Sequence, residues 1–265
     1  MDLGLKDRVC AVTGASDGIG RATALTLARE GAALLLVGRR EQPLRQVAEE
    51  CTRAGARVEV LALDVTAGDA GEKLLEASLE RFGRIDALVN NAGTSSVRTL
   101  EQLTDEDWQT QWDLNVMGPM RLMRALAPEM ARRGWGRIVN VCSSSGKRPS
   151  GTNMSYSVTK AAQLSLSRSF ADLYASDGVL VNAVAPGPVG TGLWMDPGGL
   201  ADQAAQARGT TREQVLEATA GRVPLGRFGS DDEVAAVIAF LCSEAASNVA
   251  GAAWSVDGGS VPVII

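Results

Sequence analysis

A tyrosine and a lysine lie four residues apart in the segment Ser155-Tyr156-Ser157-Val158-Thr159-Lys160, and Ser143 precedes them on a separate segment. In a helix, the phenol and the ammonium of this pair lie on one face, one turn apart. A free phenol has a pKa of about 10, and a cation about 4 Å away favours the phenolate by about 4 kcal/mol at an effective dielectric constant near 20. We therefore expect Lys160 to lower the pKa of Tyr156 by up to roughly 3, into the range of a general acid or base. Tyrosine and lysine at this spacing are also common surface partners, so the pair alone leaves both interpretations open.

The chain of 265 residues contains no histidine, which excludes Ser-His-Asp hydrolysis, histidine metal sites and imidazole acid–base catalysis. The 26 Lys and Arg residues are outnumbered by 31 Asp and Glu residues, and no basic run predicts binding to nucleic acid. The four cysteines form no C-x-x-C pair, so we expect buried thiols in a reducing compartment and no metal site. The N-terminus lacks the apolar core of a signal peptide, and no apolar run approaches the roughly 20 residues that span a bilayer. A cytoplasmic protein that does not enter a membrane is therefore expected.

Short apolar runs alternate with longer stretches of helical spacing, which predicts an α/β fold. Continuously apolar strands indicate burial on both faces, and alternation with helices predicts right-handed crossovers and a parallel sheet. The predicted strands are 9–13, 33–37, 58–63, 87–90, 137–141, 180–184 and 253–256. The predicted helices are 19–30, 43–54, 69–82, 108–133, 156–175 and 231–241, with kinks or breaks expected at Pro119 and Pro128. We expect residues 1–265 to form a single domain, within which the irregular stretch 193–225 forms a helical flap.

A glycine-rich segment, Thr13-Gly14-Ala15-Ser16-Asp17-Gly18-Ile19-Gly20, joins the first predicted strand to the first predicted helix. Glycines there permit a tight turn and a close approach of a phosphate to backbone N–H groups, and the helix N-terminus attracts negative charge. The spacing is G-x-x-x-G-x-G rather than the common dinucleotide pattern G-x-G-x-x-G. An ordinary glycine turn is the alternative.

Three further segments with polar residues follow predicted strands: Asn90-Asn91-Ala92-Gly93, Ser143-Ser144-Ser145-Gly146 and 182–191. Each alone is also compatible with a turn or a capping loop. Together with the glycine-rich segment and the Tyr156–Lys160 pair, all are predicted at one edge of one sheet. That is the edge at which ligands bind in open α/β folds.

In this combination the segments resemble the short-chain dehydrogenase/reductase family, and the resemblance covers essentially the whole chain, including residues 251–259. The overall pattern looks like the 3-oxoacyl-carrier-protein reductases. The resemblance implies a single Rossmann-type domain of three layers with a parallel sheet of about seven strands. It also implies an enzyme that interconverts a ketone and a secondary alcohol with a nicotinamide cofactor.

The resemblance implies roles for individual residues. Tyr156 would be the general acid/base, Ser143 would bind the substrate oxygen, and Lys160 would tune Tyr156 and hold the nicotinamide ribose. Asn115 would anchor a water chain behind the lysine. The implied cofactor-binding residues are Gly14, Ser16, Asp17, Gly18, Ile19, Gly20, Arg39, Asp64, Val65, Asn91, Ala92, Gly93, Tyr156, Lys160, Pro186, Gly187, Val189 and Thr191. The implied substrate contacts are Ser143, Ser145, Tyr156, Trp194 and Met195.

The run Val37-Gly38-Arg39-Arg40 after the second predicted strand bears on the choice of cofactor. An NAD site typically has a carboxylate there, whereas a guanidinium can bind the 2′-phosphate of NADP. We predict NADP(H) with Arg39 as the main contact, and NAD(H) is the alternative if both arginines only begin a solvated helix. Asp17 departs from related NADP reductases, which often carry a basic residue there, and is expected to cap the helix instead.

The sequence leaves the substrate open. A 3-oxoacyl thioester is the nominal expectation, with sugars, polyols, steroids and small alcohols as alternatives, and a non-catalytic cofactor sensor as a remote one. Trp194 and Met195 either line the substrate site or pack the flap down. We expect a small-molecule substrate and a homodimer or homotetramer formed through 108–133, 156–175 and the apolar tail within 250–265.

Overall fold

A computed structural model describes residues 2–262 and contains one seven-stranded parallel sheet in the order β3-β2-β1-β4-β5-β6-β7. The order reverses beside β1, so the carboxyl ends of β1 and β4 flank the switch point at which open α/β sheets bind ligands. The strands are β1 (Val9–Thr13), β2 (Ala33–Gly38), β3 (Val58–Ala62), β4 (Ala87–Asn90), β5 (Gly136–Val141), β6 (Val179–Pro186) and β7 (Ala253–Val256).

Helices cover both faces of the sheet, and the side chains of each central strand alternate between two apolar clusters. Cys10 and Val12 of β1 face one cluster, whereas Val9 and Ala11 face the other. The first cluster includes side chains from α1 (Gly18–Arg29), α2 (Glu41–Arg53) and α11 (Asp231–Leu241), and the second includes side chains from α3 (Ala70–Phe82), α5 (Gly118–Arg132) and α7 (Met154–Tyr174). This confirms the predicted three-layer parallel fold. The remaining helices are α4 (Asp105–Trp112), α6 (Ser144–Lys147), α8 (Gly192–Met195), α9 (Leu200–Arg208) and α10 (Arg212–Ala220).

The long helical region predicted over 108–133 is interrupted just before Pro119, one of the two prolines at which a kink or break is expected. A π-helical turn, Asp113–Met117, separates α4 from α5. Pro119 is the second residue of α5, directly after a helical π-turn, so its missing N–H removes one helical hydrogen bond at the junction, and Pro128 lies inside α5. The π-turn places Asn115 in the sheet-edge cleft, and such turns often occur at functional sites.

The four cysteines are buried free thiols, as predicted. Burial raises the pKa of both Cys142 and Cys242 to about 12, so these thiols stay protonated at neutral pH. None of the helices within residues 2–262 has the length and apolar character needed to cross a membrane.

Candidate active site

Helix α7 carries Tyr156 and Lys160 on one face, as the four-residue spacing predicts. Lys160 is almost completely buried, and its Nζ lies 5.6 Å from the centroid of the Tyr156 ring. The ammonium donates hydrogen bonds of 2.9 Å to the carbonyl of Val141 and of 2.9 Å to Oε1 of Gln163. These two bonds fix the long lysine side chain against the end of β5.

Ser143 lies two residues beyond the end of β5 and caps the short helix α6. Its backbone is extended, and its buried Oγ accepts a hydrogen bond of 3.0 Å from the N–H of Ser145. Its hydroxyl also lies near the Tyr156 phenol and acts to lower the pKa of that phenol. Ser143, Tyr156 and Lys160 therefore meet at the carboxyl end of one strand.

Burial dominates the titration of this pair. It raises the pKa of the half-buried Tyr156 to about 12, and the nearby Ser143 hydroxyl, which favours the phenolate, offsets only part of that rise. Burial also lowers the pKa of the Lys160 ammonium to about 8. The lowered pKa that the helical spacing led us to expect for Tyr156 is therefore wrong for this structure. The Lys160 ammonium donates its hydrogen bonds to Val141 and Gln163. Burial disfavours the charged forms of both Tyr156 and Lys160.

Asn115, in the π-turn, completes the group from the opposite side. It is fully buried, and its Nδ2 donates to Oε1 of Gln111 at 2.7 Å and to Oγ1 of Thr159 at 3.1 Å. Its Oδ1 has no partner within residues 2–262. A β-carbon added at Gly93 would lie 3.5 Å from that oxygen and 3.7 Å from Lys160 Nζ, so both groups border the same point of the cleft.

Asn91, just beyond β4, holds the glycine-rich segment in place. Its Nδ2 donates to the carbonyl oxygens of Thr13 at 3.0 Å and Gly14 at 3.2 Å. In return, Thr13 Oγ1 accepts the N–H groups of Asn91 and Ala92, each at 3.0 Å. Gly20 packs so closely here that a β-carbon would lie 2.2 Å from the Gly14 carbonyl oxygen, which requires glycine.

A sequence model described as short chain dehydrogenase matches residues 8–198, which is most of the chain. The chain belongs to the short-chain dehydrogenase family. It is accordingly an oxidoreductase of that family, as the resemblance predicted.

Relatives of this short-chain dehydrogenase differ in the substrates they are named for. The chain is 38% identical to the cis-4-hydroxycyclohexanecarboxylate dehydrogenase of Sinomonas cyclohexanicum, with 97% of this chain and 98% of the relative covered. It is 34% identical to the 3-oxoacyl-[acyl-carrier-protein] reductase FabG of Thermotoga maritima, over 97% of this chain and 99% of the relative. Among solved structures, the L-sorbose reductase of Gluconobacter frateurii in complex with NADPH and L-sorbose matches with a TM-score of 0.93 and 36% identity, covering 100% of both chains.

The far end of the cleft in this short-chain dehydrogenase is charged. The side chain of Asp17 caps α1 by accepting the Gly18 N–H at 2.7 Å, as predicted. Arg39, just beyond β2, is exposed. The pKa of Asp64 is lowered chiefly by the hydrogen bond from the Thr66 N–H, with the Arg39 charge as a smaller cause, so Arg39 and Asp64 are neighbours. Ser16 and Ile19 are half-buried beside them in the glycine-rich turn, and Val65 is buried next to Asp64.

The segment after β6 turns back towards α1. Val189 is buried and pairs with Gly229 in an isolated bridge, while the N–H of Thr191 bonds to the Val189 carbonyl at 2.8 Å. A β-carbon at Gly18 would lie 3.1 Å from the Thr191 methyl group. Pro186 ends β6, and Gly187 lies against Asp257, so these two shape the turn.

Trp194 packs against neighbouring apolar side chains. Its ring meets Phe228 edge-on at 5.3 Å, and it lies against a small buried cluster of Ala204, Ala205 and Val215 together with Val97. Arg212 fixes the neighbouring turn by donating to the Met195 carbonyl and pairing with a carboxylate of α9. Contact of Trp194 or Met195 with a substrate stays a prediction, as does that of the half-buried Ser145.

Sequence reasoning missed the polar residues that support the site from behind. Thr13, Gln111, Thr159 and Gln163 each hydrogen-bond a residue of the predicted site. A signal was available for Gln163, because it lies three residues after Lys160 and thus on the same helical face. A glutamine on that otherwise buried face needs a buried partner.

Proposed function

We propose that this short-chain dehydrogenase is an NADP(H)-dependent reductase that interconverts a ketone and a secondary alcohol. The observation that carries the proposal is the convergence of Ser143, Tyr156 and Lys160 at the end of β5, with Asn115 bordering the same point. Two hydroxyl groups beside a buried ammonium are suited to binding a carbonyl oxygen and giving it a proton.

The described residues fit a nicotinamide dinucleotide with an additional phosphate. The first turn of α1 presents N–H groups at the switch point, where a pyrophosphate binds in related folds. Arg39 and Arg40 are exposed beyond β2, and the run 37–40 contains no acidic residue. The solved relatives described as complexes with NADPH or NADP support the same choice.

The bound cofactor would supply the hydride. Ser143 and Tyr156 would each donate a hydrogen bond to the substrate oxygen, which orients the carbonyl and stabilises the negative charge that develops there. With a pKa of about 12, Tyr156 holds its proton at neutral pH and is poised to give it to that oxygen. Lys160 and Asn115 would keep the polar path behind the phenol open for its reprotonation.

Two substrate classes are proposed for this enzyme. A 3-oxoacyl thioester is supported by the relationship to the Thermotoga maritima reductase. A small polyhydroxylated ketone is the second candidate, because the structural alignment with the L-sorbose reductase covers 100% of both chains with a TM-score of 0.93. We infer that the helical stretch 193–225 forms the flap over either substrate.

The enzyme is also proposed to act as a homodimer or homotetramer in the cytoplasm. Large apolar side chains are exposed on α4, α7 and the edge strand β7, namely Trp112, Val158, Leu173 and Trp254. Such exposure favours burial between subunits. The last part of the predicted interface, residues 263–265, lies outside the described residues. Light scattering coupled to size exclusion would give the assembly.

The decisive experiment replaces the proposed proton donor. Tyr156→Phe should lower kcat by at least about 100-fold, since general acid catalysis typically contributes 100- to 10,000-fold, while the affinity for NADPH changes little. The chain has 2 tyrosines, and Tyr174→Phe is the matched control because Tyr174 stacks on Phe170 at the far end of α7. Turnover would be followed at 340 nm with acetoacetyl thioesters, ketoses and cyclic ketones.

Two outcomes would contradict the proposal. Full activity of Tyr156→Phe would show that another group donates the proton. Tight NADPH binding by the wild type without turnover of any carbonyl would favour the cofactor-sensing alternative.

A further inference from the structure

Gln163 occupies a position on α7 that exposes 1% of its surface, one turn beyond Lys160. Its Oε1 accepts a hydrogen bond of 2.9 Å from Lys160 Nζ. The second partner of the ammonium is a backbone carbonyl, that of Val141, which no side-chain substitution removes. Of these two acceptors of Lys160, only the Gln163 side chain can therefore be removed by substitution.

We propose that Gln163 is a positioning residue that orients the Lys160 ammonium toward the cleft and keeps it charged. The inference rests on the proposed function for its catalytic meaning, but its physical content concerns the lysine alone. A buried ammonium requires acceptors for its N–H groups, because burying a charge without hydrogen-bond partners is strongly unfavourable. Val141 and Gln163 accept two of the three N–H groups, and Asn115 Oδ1 borders the same point of the cleft as the ammonium.

The environment of the ammonium contains few other charges. Within residues 2–262, no Asp or Glu side chain forms an ion pair with Lys160. From the β5 side the Cys142 thiol, which stays protonated at neutral pH, lies near the ammonium, and from α7 itself the Tyr156 phenol lies nearby. Lys147 of α6 acts on Cys142 rather than on Lys160. Burial lowers the pKa of Lys160 to about 8, so loss of one acceptor would change its charge in the neutral range.

Two substitutions at the same position separate positioning from bulk packing. Gln163→Met keeps the length of the side chain and removes the acceptor, so the pKa of Lys160 should fall by at least about one pH unit, the worth of a hydrogen bond to a charged group. Gln163→Glu keeps the acceptor and adds a negative charge, so the same pKa should rise. A merely structural role would not move the two variants in opposite directions.

The pKa is measured directly by NMR on protein labelled with carbon-13 at the lysine Cε. The chain has only three lysines besides Lys160, namely Lys6, Lys73 and Lys147, so the signal is assigned by its loss in Lys160→Arg. Ser167→Ala is the matched control, since Ser167 lies one turn beyond Gln163, is also buried, and has a hydroxyl without a partner within residues 2–262. Its Lys160 signal should titrate with the wild type.

We expect a pKa of about 8 for Lys160 in the wild type, a lower pKa in Gln163→Met and a higher pKa in Gln163→Glu. The pH dependence of kcat should shift in the same directions. Unchanged titration in both variants, or displacement of both in one direction, overturns the inference. If Gln163→Met does not fold, Gln163→Leu removes the same acceptor, and a pKa of Lys160 that does not fall in that variant overturns the inference. Because the NMR titration needs no substrate, an absence of turnover would refute the proposed function and leave this result standing.

Discussion

Replacing Thr13 with valine should loosen the junction between β1 and the segment that follows β4. Thr13 is buried at the end of β1, and its hydroxyl makes three hydrogen bonds. Oγ1 accepts the N–H groups of Asn91 and Ala92, each at 3.0 Å, and donates to the carbonyl of Val89 at 3.2 Å. Valine keeps the branched shape and removes all three bonds at once.

The expected loss follows from the number of groups left unpaired. A typical intramolecular hydrogen bond contributes about 1 kcal/mol net, so three bonds give a loss of roughly 3 kcal/mol in the free energy of unfolding. The N–H groups of Asn91 and Ala92 are only half-buried, so water can reach part of what the hydroxyl satisfied, and the full desolvation cost does not apply. A loss of this size lowers the Tm of a chain of this length by about 6–12 °C.

The functional consequence should exceed that of a general loss of stability. Asn91 Nδ2 holds the carbonyl groups of Thr13 and Gly14, so displacement of its backbone also releases the glycine-rich turn. We therefore expect NADPH to bind Thr13→Val at least about 10-fold more weakly than the wild type, which corresponds to about 1.4 kcal/mol.

Urea and thermal unfolding followed by circular dichroism would give the stability, and NADPH fluorescence the affinity. Thr13→Ser retains the hydroxyl and should keep most of both. Thr23→Val is the matched control: Thr23 is equally buried, in α1, but its hydroxyl has no partner within residues 2–262, so its loss should cost little. If Thr13→Val were as benign as Thr23→Val, the hydrogen bonds of Thr13 would not stabilise the site as argued.

Three further predictions concern cofactor choice, helix packing and pH. Arg39→Asp should raise KM for NADPH at least about 10-fold more than KM for NADH, because a charge-assisted contact to the 2′-phosphate is lost; Arg40→Asp is the comparison, and equal effects on both cofactors would reject the assignment. Gly71→Ala should destabilise the fold by about 1–3 kcal/mol in urea unfolding. Its β-carbon would lie 2.4 Å from a backbone oxygen of α5, whereas Gly68→Ala meets no atom within 4 Å and should be neutral. Lys160, with its pKa lowered to about 8 from 10.5, binds its proton less tightly when folded than when unfolded, so its contribution to stability rises as pH increases from 8 to 10.5. Lys160→Met should lack that rise of about 3 kcal/mol when unfolding is measured across this window, and an unchanged pH dependence would contradict the lowered pKa.

The sheet could be predicted because its strands are continuously apolar and short. The run Ala33–Gly38 lies between two helical layers, and its side chains contribute to both apolar clusters. A short apolar run that follows Gly31 and precedes a polar helix start is typical of a buried strand. The order of the strands and the position of the cleft then follow from the handedness of the crossovers and the resemblance to a known family.

The π-helical form of the interruption at Asp113–Met117 could not be predicted in the same way. Pro119 predicts a break near this point, and the π-turn ends two residues before it, whereas Pro128 is accommodated inside α5. The π-turn coincides instead with Asn115, whose amide bonds to side chains on two different helices, α4 and α7. A feature that brings together tertiary partners has no local periodicity to reveal it.

Burial gives the Tyr156 phenol a pKa well above the one that its spacing from Lys160 predicts. Spacing alone places a cation near the phenol and omits the burial that disfavours both charged forms. With the phenol at about 12 and the ammonium at about 8, the group whose charge changes near neutral pH is Lys160, not Tyr156. The phenol is then a stored proton, whereas the lysine is the pH-sensitive element that stabilises the phenolate once that proton has been given away. The surroundings of the lysine, including the Gln163 acceptor, therefore set the pH response of the site.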